Sequence, residues 1–146
     1  MSTLERAIAI AAKAHEGQVD KAGAPYVLHP LRMMLRLSKS NERITAVLHD
    51  VVEDCGVTLE TLRAEGFPEQ VIEAVDSVTR RSEESYEAFV LRAASNPIGR
   101  RVKLVDLQDN SDLSRIEHPT ARDYERIEKY RRAIDAIRAL EESDGT

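Results

Sequence analysis

The run ITAVLHDVVEDCG, residues 44–56, constrains the fold more than any other stretch of the chain. Ile44, Val47, Leu48, Val51 and Val52 recur at the spacing of one buried helix face. The other face collects His49, Asp50, Glu53 and Asp54, and residues three or four apart on a helix are neighbours. Asp50, Glu53 and Asp54 therefore make one patch of like charge. The patch lies in the last turn before Gly56, where the helix dipole is already negative. No Lys or Arg stands between Arg43 and Arg63 to offset it. Each such contact costs about 0.3–0.5 kcal/mol in solvent, and more when enclosed. A bound cation removes the conflict. An exposed acidic helix end is the plainer alternative, and ligands from elsewhere in the chain decide between the two.

Every other segment with a clear period is helical too, which predicts an all-α fold. Ser2-x-x-Glu5 reads as a capping box opening LERAIAIAAKAH, which stops at Gly17. A turn-rich loop, GQVDKAGAPY, leads to a second helix that starts at Pro30 with His29 at its mouth. Asn41 is the candidate cap of the third, acidic helix, and Thr58 that of a short fourth. FPEQVIEAVDSVTR, beginning at Pro68, SYEAFVLRAAS, closed by Asn96-Pro97, and IGRRVKLVDLQDNSDL supply three more. After the IEHPT loop a terminal helix runs from about 121 to 140. The expectation is a compact bundle of about eight helices in one domain, 1–146, with a core over about 4–140 and a frayed tail at 141–146.

The net charge of −5 argues against a general nucleic-acid binder, whose phosphate contacts need a basic surface. The lone Cys55 forms no internal disulfide, and Glu5 and Arg6 interrupt any leader-like stretch. No apolar run reaches membrane-spanning length. A cytoplasmic protein is expected, with no membrane partner; its oligomeric state is open. The charge is uneven, however. Arg100, Arg101, Lys103, Arg115, Arg122, Arg126, Lys129, Arg131 and Arg132 crowd the C-terminal part. An acidic centre beside a basic region suits a small phosphorylated ligand, although most of these cations read equally well as solvated helix charges.

Three segments supply further candidates. Tyr26-x-x-His29-Pro30 fixes an imidazole in place, because the residue before a proline is conformationally restricted. Lys103, Asp106 and Asn110 form one stripe at i, i+3 and i+7, with Asp106 set between Val105 and Leu107. A buried carboxylate there must be paired or coordinated, and Lys103 is one possible partner. His15 and His118 read as structural or surface residues, His15 being the better placed to line a pocket. His29, His49, Asp50 and Asp106 make a mixed N/O set suited to Mn²⁺, Fe²⁺, Co²⁺ or Zn²⁺. Such an ion acidifies the water it binds. Glu53 and Asp54, one helical turn away, are placed to orient or deprotonate that water and to pass a proton to a leaving group.

The segments AAKAHEGQ-x-x-K-x-G-x-PYVLHP, AVLHDVVED and KLVDLQDN, in that order, resemble the three signature blocks of the HD metal-dependent phosphohydrolases. More narrowly, they are similar to the hydrolase domain of the RelA/SpoT family and to stand-alone small alarmone hydrolases, over about residues 4–140. The resemblance implies the all-α HD-domain fold and Mn²⁺ held by His29, His49, Asp50 and Asp106. It implies that Glu53 and Asp54 work on the attacking water, and that the reaction is hydrolysis of the 3′-diphosphate of guanosine tetra- or pentaphosphate, releasing pyrophosphate. Asn110 matches an asparagine near the nucleoside, Lys21 a basic loop residue near the ligand, and Arg126 and Tyr130 resemble a pair that approaches phosphates in the stand-alone enzymes. The chain is too short for the synthetase and regulatory domains of long members. It departs from the pattern at Asp20, where a basic residue is usual, at Ala22, where serine is frequent, and around DLQDNSDL. Asp20 either accepts hydrogen bonds from a nucleobase, which predicts broad base tolerance, or points to solvent. Another nucleotide substrate (an adenosine alarmone, a simple nucleotide or NADPH) and a silent nucleotide-sensing module stay open.

Overall fold

The computed structural model describes residues 2–144, which are helical apart from loops and one isolated bridge between Val19 and Pro25. The α-helices among them are α1 (Leu4–Ala14), α2 (Leu28–Leu35), α3 (Ser40–Leu48), α4 (Val51–Cys55), α5 (Leu59–Ala64), α6 (Glu69–Ser77), α7 (Tyr86–Ala94), α8 (Pro97–Asn110) and α9 (Ala121–Asp144). A 3₁₀ turn at Leu113–Arg115 precedes α9.

The run 44–56 is not one continuous helix. α3 ends at Leu48, His49 and Asp50 form a turn, and α4 begins at Val51. The His49 backbone N–H reaches back only three residues, to the Ala46 carbonyl at 3.4 Å. The His49 ring bonds the same carbonyl through Nδ1 at 2.8 Å, so the side chain competes with the helix for its acceptor. Asp50 takes φ −105° and ψ −3°, outside the helical centre. Gly56, at φ 72°, then ends α4 in the left-handed conformation that glycine adopts without strain.

Several helix starts shift by a residue or two. Thr3, not Ser2, caps α1, its hydroxyl accepting from the Arg6 N–H at 3.1 Å. α2 opens at Leu28, so Pro30 lies in its first turn, where a missing N–H costs nothing, and His29 is inside the helix. Asn41 lies within α3, whose cap position is Lys39, and its amide donates to Gln70. Thr58 does cap α5. α9 continues through 141–144, four residues into the expected tail; 145 and 146 lie outside the described residues.

α3 runs through the middle, packed on α1, α2, α6 and α8, and its residues 44–48 are all buried. Ile44, Val47 and Leu48 join Ala7, Ala11, Leu62, Phe67, Val71, Ile72 and Val75 on one side. Ala46 faces Met33, Leu37, Val78, Val102 and Val105 on the other. A helix that is apolar on both sides must be a central one. α8 is a second spine: Val102 and Val105 enter that cluster, while Leu107 packs with Val90, Ala94, Ala133 and Ile137 and ties down α9. Gly99 lets α8 start close to α7, since a Cβ there would lie 2.9 Å from the Ala93 carbonyl. The frame brings α2, the α3–α4 turn and the middle of α8 to one place. No helix of the described residues is long and apolar enough to cross a membrane.

Candidate functional site

His29 on α2, His49 and Asp50 in the α3–α4 turn, and Asp106 on α8 converge where those elements meet. His29 Nε2 lies 2.9 Å from Asp106 Oδ1. His49 Nε2 lies 3.0 Å from Asp50 Oδ2 and 3.5 Å from Asp106 Oδ1. Ligand atoms of His29, His49 and Asp50 all fall within 4.8 Å of one another. Two donors at right angles about one ion, with bonds near 2.1 Å, are about 3 Å apart, so these separations fit a shared divalent ion. The chemistry fits as well. Nδ1 of His49 is occupied by the Ala46 carbonyl, which leaves Nε2 as the free ligand atom.

The charges in this cluster are deeply enclosed. His29, His49, Lys103 and Asp106 are each buried. Burial alone would push the Asp106 carboxyl upward; Lys103, at 2.9 Å, and the two histidines overcome it and hold it well below the usual range. Burial likewise opposes charge on His29 and His49, yet the facing carboxylates raise both imidazoles, His49 well above its ordinary value. The facing carboxylates thus favour positive charge at both rings, the kind of charge a bound cation would supply. Asp50 is held low by His49 and by the Tyr26 hydroxyl, which donates to it.

Glu53 and Asp54 stand at the rim. Ligand atoms of Asp50, Glu53 and Asp54 cluster within 4.8 Å, as the sequence patch predicts. Partial burial and the neighbouring carboxylates raise both side chains toward neutrality. The Arg80 backbone N–H donates to Glu53 at 2.7 Å and fixes its direction.

Two clefts adjoin the cluster. One, of about 280 Å³, is lined by His49, Asp50, Glu53, Asp54 and Asp106 together with Arg80, Lys103 and Lys129. The other, of about 390 Å³, is lined by Asp20, Lys21, Arg32, Asp112, Arg115 and Arg126. Tyr26, Asn110 and Tyr130 border both. The expected substrate contacts thus all face one cleft or the other, but in different states. Asn110 donates to Asp106 at 3.0 Å. Arg126 is paired with Asp123 at 2.7 Å. Lys103 is committed to Asp106, the ion pair that its spacing allowed. Asp20 lines the larger cleft, and its Oδ1 accepts from the Ala22 and Ala24 N–H groups at 2.9 and 3.0 Å and organises the loop. Of the nine C-terminal cations, Lys103, Arg115, Arg126 and Lys129 line one of these two clefts.

His15 is buried against Tyr26, with Nδ1 on Gln18, and His118 is exposed. Sequence reasoning missed Tyr26 as a partner of Asp50, Arg80 as the anchor of Glu53, and Asp109. Asp109 Oδ2 lies 2.6 Å from His29 Nδ1, and Arg32 grips the same carboxylate with two bonds of 2.9 Å. The signal existed. α2 carries His29 and Arg32 three residues apart, α8 carries Asp106 and Asp109 at the same interval, and complementary pairs can meet across two helices.

The HD-domain family profile matches residues 7–140. The guanosine-3′,5′-bis(diphosphate) 3′-pyrophosphohydrolase of Aquifex aeolicus is 36% identical over 121 residues, which are 75% of this chain and 17% of that protein. The protein of the same name in Vibrio cholerae is 39% identical over 84 residues, 55% of this chain and 12% of that protein. The chain thus spans less than a fifth of the length of these curated relatives. A solved structure described as "A metazoan ortholog of SpoT hydrolyzes ppGpp and plays a role in starvation responses" superposes with a TM-score of 0.76 at 25% identity, over 94% of this chain and 86% of that one. With a profile match along nearly its whole length and the same helical fold, this chain belongs to the HD-domain family.

Proposed function

We propose that this HD domain is a Mn²⁺-dependent phosphohydrolase that cleaves the 3′-diphosphate of a (p)ppGpp-type alarmone and releases pyrophosphate. The observation that carries it is the meeting of His29, His49 and Asp50 within 4.8 Å of one another, with Asp106 2.9 Å from His29 and 3.5 Å from His49, at the border of two clefts lined with cations. The names and titles of the relatives supply the substrate class.

His29, His49, Asp50 and Asp106 hold the ion, which when bound acidifies water and polarises a phosphoryl oxygen. Glu53 and Asp54 orient and deprotonate the attacking water and return a proton to the leaving 3′-oxygen. Their raised affinity for protons suits both duties, because an efficient acid–base group works near the ambient pH. Water adds to the phosphorus next to the ribose, the bond from that phosphorus to the 3′-oxygen breaks, and pyrophosphate departs. Lys103, Arg80 and Lys129 face the same cleft and offset the negative charge that builds on the phosphoryl oxygens. The rest of the nucleotide lies in the larger cleft, with Asn110 beside the nucleoside, Lys21 near the ligand, and Arg126 and Tyr130 toward its phosphates. Domain limits of 1–146 and a cytoplasmic setting accompany this reading.

The test is a product assay. Mn²⁺-loaded protein is incubated with guanosine and adenosine 3′-diphosphate nucleotides, simple nucleotides and NADPH, and the products are separated. Pyrophosphate together with the matching 5′-nucleotide supports the reading. Release of single phosphates, or cleavage of NADPH alone, replaces the substrate class. Saturable nucleotide binding with no turnover on the whole panel makes the domain a sensor.

A further inference from the structure

We infer that Asp109 is a positioning residue for the metal ligand His29, held in place by Arg32. The inference rests on the metal reading above and deepens it. His29 is the one imidazole of the cluster whose two ring nitrogens both face carboxylates: Nε2 lies 2.9 Å from Asp106 and Nδ1 2.6 Å from Asp109. Only Nε2 points into the group formed with His49 and Asp50 through Asp106. A nitrogen that binds an ion must present a lone pair, so the ring proton has to reside on Nδ1. An acceptor facing Nδ1 enforces that tautomer, and a charged one makes the ring a stronger donor to the ion.

Asp109 is built for this role and not merely for pairing with Arg32. Its carboxylate is buried, although Arg32 itself is partly exposed and an ordinary surface ion pair would leave both ends wet. Arg32 approaches in the two-bond fork, 2.9 Å to Oδ1 and 2.9 Å to Oδ2, which fixes the plane of the carboxylate. Arg115 adds a second cation at 3.7 Å. The contrast with His49 is instructive. There the corresponding acceptor is a neutral backbone carbonyl, so the charged support falls on one histidine of the two.

Three proteins decide the matter: Asp109→Asn, Arg32→Met and the double variant. Each is stripped with chelator, its melting temperature is recorded, and Mn²⁺ affinity is measured from the free-ion EPR signal. Asp109→Asn keeps the shape and removes the charge, and should weaken Mn²⁺ binding about 10–100-fold. Arg32→Met should lower the metal-free melting temperature but hold affinity within about threefold, because His29 keeps its carboxylate. The double variant, with no stranded Arg32 charge, should remain as weak as Asp109→Asn; it also carries the test if the single variant fails to fold. Equal affinity in Asp109→Asn and the parent overturns the role, as does recovery of affinity in the double variant. Absence of Mn²⁺ binding by the parent overturns the metal reading itself, which is a separate outcome.

Discussion

The cluster of His29, His49, Asp50 and Asp106 is held from three directions by α2, the α3–α4 turn and α8, while the adjoining cleft has loops for much of its wall. In the cluster, buried charges face opposite charges within 3.5 Å, and both positions of each histidine ring are set by a named neighbour. In the cleft, Lys21 and Asp20 come from the 17–27 loop and Asp112 and Arg115 from the stretch after α8. Many polar groups there are already engaged with their own loop or helix, as Asp20 is with Ala22 and Ala24. A rigid, densely paired end suits bond-breaking, where sub-ångström placement matters. A loop-walled end suits ligand selection, where sequence can change without disturbing the core.

If that division is right, changes in the cluster remove chemistry and changes in the cleft adjust binding. The largest effect is expected from His49→Ala and Asp50→Ala, which should lose the ion and turnover together. Metal content after dialysis, read beside product formation, checks this; a variant that keeps a full equivalent of Mn²⁺ breaks the ligand assignment. Glu53→Gln comes next. It should keep most of the metal but lose rate, roughly 10²–10⁴-fold, as for the loss of a general acid or base. Near-normal turnover would remove Glu53 from the proton path.

A smaller effect concerns stability. Saturating Mn²⁺ at a hundredfold excess over Kd should add about 2.7 kcal/mol. Its pH dependence follows from the histidines. Their folded pKa values are raised, so their contribution in the ion-free protein is present below the unfolded value near 6.5 and fades as pH rises through the folded values. The buried carboxylates Asp106 and Asp109 are lowered, so theirs fades only as the solution becomes strongly acidic. Melting of the chelated protein should thus weaken above neutrality, and the gain from Mn²⁺ should widen with pH. Melting curves across pH 5–9, with and without Mn²⁺, would expose a gain that is flat or shrinks instead. The smallest effect belongs to Asp20→Ala. Loosening the loop should raise KM by similar factors for guanosine and adenosine substrates, because its bonded oxygen serves the backbone. A changed ratio between the two would mean that Asp20 reads the base after all.

The same division explains what was legible in the chain. The apolar stripe of residues 44–52 and the acids beside it depend only on helical spacing, and they place α3, the acidic patch and two of the proposed ligands. Proximity of Asp106 to the histidines follows once a charge flanked by Val105 and Leu107 has to find a partner. The break at His49 was hidden, because it arises from one ring competing for one carbonyl, which residue periodicity does not record. Asp109 was hidden for another reason. Its meaning depends on α2 lying against α8 in a register that joins Asp109 to both His29 and Arg32. For Asp20 the sequence suggested a ligand contact but gave no sign that its Oδ1 also serves the turn that carries it.

The central claim is that the four convergent side chains hold a divalent ion. Calorimetric titration of Mn²⁺ into the chelator-stripped protein, repeated in buffers of different ionisation enthalpy, measures stoichiometry and proton release at once. The account predicts one equivalent per chain, with protons expelled from His29 and His49 as the ion enters. Titrations with no saturable binding, or binding that survives in His49→Ala, would contradict it.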